Sequence, residues 1–558
     1  MSIRTGSVLF MLLMSLVLIF SVVLPTAAVA ADDGKKSAIP DVTELINRLP
    51  LVKLREMGAL VAQLEAREDE RLLPVFEALM EGKLYFVKSS KAVILLGDEA
   101  AEGNTFMAVS AMDGSAIANV KKSQVGKIRV NNSLRKQLRK AIARLTLFSS
   151  SPATRKQAVD RLMSDLDDDN IELLTQALAQ EKNAGVRKKI RFALSVAALD
   201  ASDMRVKKAA VSALSGEVHP EVRNRLARIV EKDDQGNYLE QDSELVKLAL
   251  ASIKKSDSRL QLYGFFERVF FGLSLGSVLL LAAIGLAITF GVMGVINMAH
   301  GELLMLGAYT TYVIQLLMPN HIGLSLFVAI PAAFVFCGLV GVAIERGVIQ
   351  FLKGRPLETL LATFGLSLIL QQTVRSIFSP LNRQVSTPEW MSGTLEITTG
   401  LSLTYNRLYI ILFSLVVFGL LLLVMKKTAL GLYVRAVSQN RDMARAVGIR
   451  SEWVDAMTFG LGSGIAGVAG VALSQLTNVG PNLGQSYIID SFMVVVFGGV
   501  GNLWGTLVGA FSLGIGSKFL EPVTGTVLAQ ILVLVFIVLF IQKRPRGLFP
   551  QQGRSAEQ

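Results

Sequence analysis

Residues 269–309 read "VFFGLSLGSVLLLAAIGLAITFGVMGVINMAHGELLMLGAY", and their reading decides the fold. A helix needs about 20 apolar residues to cross the ~30 Å hydrocarbon core of a bilayer, and residues 269–291 supply that length. From Val269 to Ile344 the ionisable side chains, apart from Tyr309, Tyr312 and Cys337, are His300, Glu302 and His321. This is membrane-domain sequence, and it keeps an imidazole and a carboxylate two positions apart.

Outward from this stretch the polarity is sharply divided. Most charge of the 558-residue chain lies between Asp32 and Lys255, whereas residues 269–541 are dominated by apolar runs. Candidate spans fall near 269–291, 301–318, 323–344, 358–378, 408–425, 454–476, 488–500, 504–517 and 523–541. The seventh and eighth are short and flank "GGVGNLWG", as half-helices or a re-entrant pair would. The fold class is therefore mostly α: a polytopic transmembrane helix bundle of eight or nine spans, some broken, at residues 262–545. Before it, residues 41–257 form an exported, mainly helical domain. Residues 1–30 read as a secretory signal, with Arg4, an apolar core and the A-x-A site at Ala28 to Ala30.

Within 41–257 the pattern changes twice. Residues 84–130 alternate and carry turn signals at Gly97, Gly103 and Gly114, so a small β-containing insert is expected there. From Asn132 onward, stretches such as "TRKQAVDRLM" and "EVRNRLARIV" place basic residues before apolar stripes, separated by polar runs such as "LDDDN". These resemble degenerate HEAT-type helical pairs, in which each unit buries its face against its neighbours. The bland alternative is a packed helical domain with a solvated face. His219 reads as an isolated surface histidine.

The formal charge of +12 would suggest nucleic acid in a soluble protein. Here much of it lies in short loops between spans, where it sets topology, so no nucleic-acid partner is expected. Loops carrying Arg346, Lys353 and Arg355, then Lys426 to Arg450, and the tail with Lys543, Arg544 and Arg546 are expected on the cytoplasmic side. With an exported N-terminal domain the number of crossings is then odd, and nine fits. The single cysteine, Cys337, excludes a disulfide within the chain and a thiolate metal cluster. "GLGSGIAGVAG" (460–470) sets small residues four apart, which lets helix backbones approach closely in lipid. Its formal G-x-G-x-x-G has no βαβ context.

Two places could carry function. A charged side chain at a helix centre costs roughly 2.5–3.5 kcal/mol on insertion scales, so Glu302 does not face lipid. It forms a tight turn near water with Gly301, or caps the following helix in its first turn, or lines a polar path with Asn297 and His300. One histidine and one glutamate are too few to hold a metal, and no catalytic constellation accompanies them. The second place, 431–449, is too polar to span. Ala436, Asn440, Met443, Ala444 and Val447 share one side at 3.6 periodicity, and Gly448 is a stop signal. It reads as a short surface helix that either lies on membrane lipid through its arginines or docks a partner. Asp490 opens the seventh span as an entrance or interfacial residue.

"GLAITFGVMGVINMAHGELLMLGAYTT", "GRPLETLLATFGLSLILQ", "GLYVRAVSQNRDMARAVGI" and "FMVVVFGGVGNLWGTLVGAF" occur in that order between residues 265 and 549. Together they resemble the branched-chain amino acid permease family of ABC importers, and the exported extension with "IIDSFMVVVFGGVGNLWGT" is similar to its urea-transporter branch. The resemblance implies a bacterial inner-membrane permease paired with a second, homologous permease subunit, two cytoplasmic ATPase subunits and a periplasmic substrate-binding protein. It also implies that 431–449 is a coupling helix, with Arg435, Asn440, Arg441, Ala444, Arg445 and Gly448 as its ATPase-coupling residues. No G-x-x-x-x-G-K-[ST] occurs in the chain, so ATP, the one cofactor implied, belongs to a partner, and the chain itself is not an enzyme. For urea, the path needs amide, hydroxyl and carbonyl groups. Asn297, His300, Glu302, Gln371 and Asn502 are its candidate residues, with Thr289, Thr363 and Gln372 as further contacts. Branched-chain amino acid uptake is the alternative within the class, and a membrane-anchored scaffold or receptor the alternative outside it.

Overall fold

The computed structural model describes residues 40–549 apart from 68, 100–104, 112–114 and 164–165. The expected signal segment, 1–30, lies outside the described residues. The chain divides into two compact units that meet at Leu260/Gln261.

The first unit opens with helices α1 (Pro40–Arg48), α2 (Met57–Glu65) and α3 (Leu73–Glu81). Strands β1 (Leu84–Val87), β2 (Val93–Glu99), β3 (Thr105–Ser110), β4 (Ala116–Lys121) and β5 (Val125–Lys127) follow, in the sheet order β4-β3-β2-β1-β5. Neighbouring strands are antiparallel throughout. This is the insert expected at 84–130, with one correction. Gly97 is not a turn but lies inside β2, where the register slips between Leu96 and Glu99; glycine accommodates such an irregularity within a strand. Gly103 and Gly114 lie outside the described residues.

Six short helices then follow: α4 (Asn132–Leu147), α5 (Pro152–Met163), α6 (Asp168–Gln180), α7 (Ala184–Ala197), α8 (Met204–Ala213) and α9 (Pro220–Ile229). The polar runs between them act as caps. The Asn131, Asp167, Asn183 and Asp203 side chains each accept a hydrogen bond from a backbone N–H in the first turn of the following helix, satisfying groups a helix start leaves unpaired. His219 does the same for α9, with Nδ1 accepting from the Glu221 N–H at 3.2 Å. It also meets the Phe192 ring edge-on at 5.5 Å. It is half-buried rather than a free surface residue, and burial lowers its pKa.

A 51-residue helix, α10 (Ser243–Met293), contains the boundary between the units. The second unit continues with α11 (His300–Leu317), α12 (Ile322–Gly347), α13 (Pro356–Phe378), a hairpin of β6 (Thr394–Thr398) and β7 (Leu401–Thr404), and α14 (Tyr405–Lys427). Then come α15 (Ala429–Gln439), α16 (Arg441–Ala446), α17 (Ser451–Ser474), α18 (Leu483–Gly498), α19 (Leu503–Thr524) and α20 (Thr526–Lys543). A helix stands at each of the nine expected spans. Seven of those described are long and apolar enough to cross a membrane, and Leu483–Gly498 is a shorter apolar helix. The chain is a multi-pass membrane protein. The expected short pair is longer than the sequence suggested: α19 has 22 residues and runs through Pro522.

Glycine sets the packing of this bundle. A Cβ on Gly307 of α11 would lie 2.0 Å from the Gly467 carbonyl oxygen of α17, and one on Gly470 would lie 2.0 Å from the Leu304 carbonyl oxygen. The "GLGSGIAGVAG" run is therefore a contact surface. It places α17 against α11 and α12 with almost every residue buried.

Candidate functional site

α10 ends at Met293, but α11 does not begin beside it. The His300 Nε2–H donates to the Ala282 carbonyl at 3.0 Å, roughly three helical turns back along α10. Residues 294–299 thus double back along α10, and α11 starts inside the bundle. Irregular backbone at membrane depth is tolerated where protein buries it or where it lines a cavity. The Asn297 Oδ1 accepts from the Ala299 N–H at 3.0 Å, and the Thr363 Oγ1 of α13 accepts from the Met298 N–H at 3.2 Å.

Glu302 occupies the first turn of α11 and is 1% exposed. Of the three readings open at the sequence level, a turn near water does not describe this position. Its Oε1 accepts from the Ser367 Oγ–H at 3.0 Å and from the Gln371 Nε2–H at 2.7 Å. Thr363, Ser367 and Gln371 lie four apart and form one polar, buried stripe on α13. Several atoms here have no hydrogen-bond partner among the described residues: Glu302 Oε2, Asn297 Nδ2, His300 Nδ1 and the Tyr309 hydroxyl. A buried polar atom left unpaired costs about 1–3 kcal/mol. These atoms offer two acceptors, one amide donor and one hydroxyl.

The remaining path candidates lie elsewhere. Asn502 caps α19, accepting from the Trp504 and Gly505 N–H groups, and its Nδ2 donates to the Phe549 carbonyl at 3.3 Å. Thr289 donates to carbonyls of its own helix, and Gln372 is exposed. Ser367 was missed by sequence reasoning, although its place midway between Thr363 and Gln371 was the available signal.

The surface segment differs from the single helix expected. Asn440 breaks it into α15 and α16: its backbone is extended, and its side chain accepts from the Met443 N–H at 2.9 Å to start the second helix. Ala444 is buried with Val434 and Val437, whereas Met443 and Val447 are exposed, so the expected apolar side is split. Gly448 takes φ +89 just past α16, a left-handed stop that glycine allows. Arg435 donates to the Met425 carbonyl, and Arg445 to the Ser451 hydroxyl at 2.7 Å.

Arg441 is held inside the chain. Its guanidinium grips Asp455 of α17 with two hydrogen bonds, at 2.6 and 3.0 Å. The Lys353 ammonium reaches the same carboxylate at 2.7 Å and Glu345 of α12 at 3.3 Å. Asp455 and Glu345 are fully buried. The group ties α16 to α17 and α12 by charge, while Leu432, Tyr433, Met443 and Val447 of the segment and Trp453 at the start of α17 are exposed, as are Arg435, Asp442 and Arg445.

Polar groups at a helix start inside a membrane bundle are an arrangement found in transport proteins. Residues 268–541 match the family model described as branched-chain amino acid transport system / permease component. The chain is 29% identical over 299 residues to the high-affinity branched-chain amino acid transport system permease protein BraD of Pseudomonas aeruginosa, covering 52% of this chain and 96% of that protein. It is 29% identical over 300 residues to the LivH permease of the corresponding system in Escherichia coli (strain K12), covering 51% and 95%. The ribose import permease protein RbsC of Haemophilus influenzae is 22% identical over 275 residues, covering 47% and 80%. No solved structure matches the chain. Over residues 268–541 the chain is thus similar to permease components of transport systems, which are transporters rather than enzymes.

Proposed function

We propose that the chain is a permease subunit of a bacterial ABC importer for urea or a closely related small amide, with Glu302 and its neighbours on the substrate path. The observation that carries this reading is the buried cluster where α11 begins: one carboxylate oxygen is held by two neutral donors and the other is left free. A ligand rich in N–H groups complements it, and a ligand carboxylate is repelled by it. The Leu432, Tyr433, Met443, Val447 and Trp453 face is the docking surface for cytoplasmic ATPase subunits. The Arg441–Asp455–Lys353–Glu345 group passes their movement to α17 and α12. A second homologous permease and a periplasmic binding protein complete the assembly, with the first unit placed in the periplasm and its helices from residue 132 acting as a HEAT-type array.

A second reading is branched-chain amino acid uptake, favoured by the substrate named for BraD and LivH. ATP-driven uptake of labelled urea into proteoliposomes, competed by leucine and by short amides, separates the two. Saturable urea uptake that acetamide competes and leucine does not supports the first reading; uptake of leucine with none of urea supports the second.

A further inference from the structure

A second polar space in the membrane unit is not used by the Glu302 cluster. It is a cavity of about 220 Å³ between α10, α18, α19 and α20, toward the end of the bundle where α19 gives way to α20 at Gly525. Its polar lining includes Ser486, Asp490, Ser517, Lys518, Glu521 and Gln530, over an apolar base from α10. Water occupies about 30 Å³ per molecule in the liquid, so the space holds several waters or one solute of a few heavy atoms.

The charges in this lining do not cancel. Lys518 and Glu521, one turn apart on α19, pair with each other at 2.5 Å. Asp490, half-buried on α18, forms no hydrogen bond or ion pair with any described residue. A lone carboxylate on an apolar helix is costly against hydrocarbon, so Asp490 requires water or a ligand. A carboxylate only accepts hydrogen bonds, and the cavity is left with one net negative charge. The group that complements it is an N–H donor, neutral or positive.

We propose that this cavity is a binding vestibule for small N–H-donating solutes, amides or compact organic cations, with Asp490 as the group that selects them. Any part it takes in uptake rests on the permease reading; binding in the cavity does not.

The test uses the full-length protein and a favourable accident of its composition. Cys337 is the only cysteine, and it is fully buried, so the native chain gives little background to thiol reagents. Ser517→Cys and Gln530→Cys, on two different helices, are labelled with cationic and anionic methanethiosulfonates of matched size. Cationic labelling is expected to be about tenfold faster at both positions, as a nearby uncompensated charge requires. Adding Asp490→Asn is expected to remove that preference. Guanidinium or urea should slow labelling, and acetate should not. Equal rates with Asp490 present, no labelling at either position, or protection by acetate would each overturn the proposal. Charge-selective labelling in a protein that shows no ATP-driven uptake would leave the vestibule standing and remove the permease reading.

Discussion

The membrane unit buries carboxylates in two ways. Around Asp455, two carboxylates meet three cations, Arg441, Lys353 and Arg346, and Asp455 itself receives three hydrogen bonds. Around Glu302 no ion pair forms among the described residues: two neutral donors serve one oxygen, and the other has no hydrogen-bond partner among them. Asp455 is held by charge and by three hydrogen bonds, and Glu345 beside it by ion pairs alone, so the charges of this group serve to hold helices together. The unsaturated group keeps capacity for something that arrives.

The comparison can be broken most forcefully at Asp455. Removing one partner of a buried ion pair leaves charge uncompensated at a cost of about 3–5 kcal/mol. Because Arg441 and Lys353 are partly exposed, Asp455→Asn is expected to cost about 3 kcal/mol, read as a lower thermal midpoint in detergent and faster hydrogen exchange across 429–450. Next is Gly307→Ala, at the crossing where α17 reaches α11. The added methyl meets the Gly467 backbone, and such overpacking costs about 1–3 kcal/mol, measurable in the same unfolding assay.

Glu302→Gln sharpens the contrast by separating stability from transport. The amide oxygen can keep both donors, so the stability change is expected to stay under about 1 kcal/mol, while urea uptake falls several-fold through a higher KM. A comparable loss of stability at both carboxylates would erase the distinction between them.

Another small effect comes from the first unit, where an ion pair joins α5 to the residue after α6. Arg155 donates to Glu181 at 2.7 and 3.0 Å and holds that carboxyl below its ordinary value of 4.5. A depressed folded-state pKa contributes stability above the unfolded value, lost as pH falls through the folded one. Acidification below about pH 4.5 should thus weaken protection of α5–α7, by about 1 kcal/mol. Arg155→Met should remove most of that pH dependence in hydrogen exchange corrected for intrinsic rates.

Much of this architecture was legible because hydrophobic length and small-residue spacing are local signals. The places of the apolar helices, seven of them long enough to cross a membrane, the sheet insert and the buried face of 460–470 could be read from composition and period alone. The Asp455 group could not: Lys353 and Asp455 are 102 residues apart, and nothing in "SEWVDAMTFG" announces a partner. Arg441 looked like a docking residue for the same reason, since an arginine in a polar segment shows its charge but not its direction. The break at Asn440 had a local signal, a capping residue inside an otherwise periodic run, which the apolar period outweighed. At Glu302 the sequence showed an isolated carboxylate but not the depth at which α11 begins, because that depth depends on how 294–299 folds back along α10.

The most direct test is the concentration dependence of ATP-driven urea uptake in proteoliposomes holding the complete importer, wild type beside Glu302→Gln. The account predicts saturable uptake by the wild type, and a stable, fully inserted variant whose KM is raised several-fold. Identical KM and maximal rate in the two proteins would contradict a substrate-handling role for the Glu302 cluster.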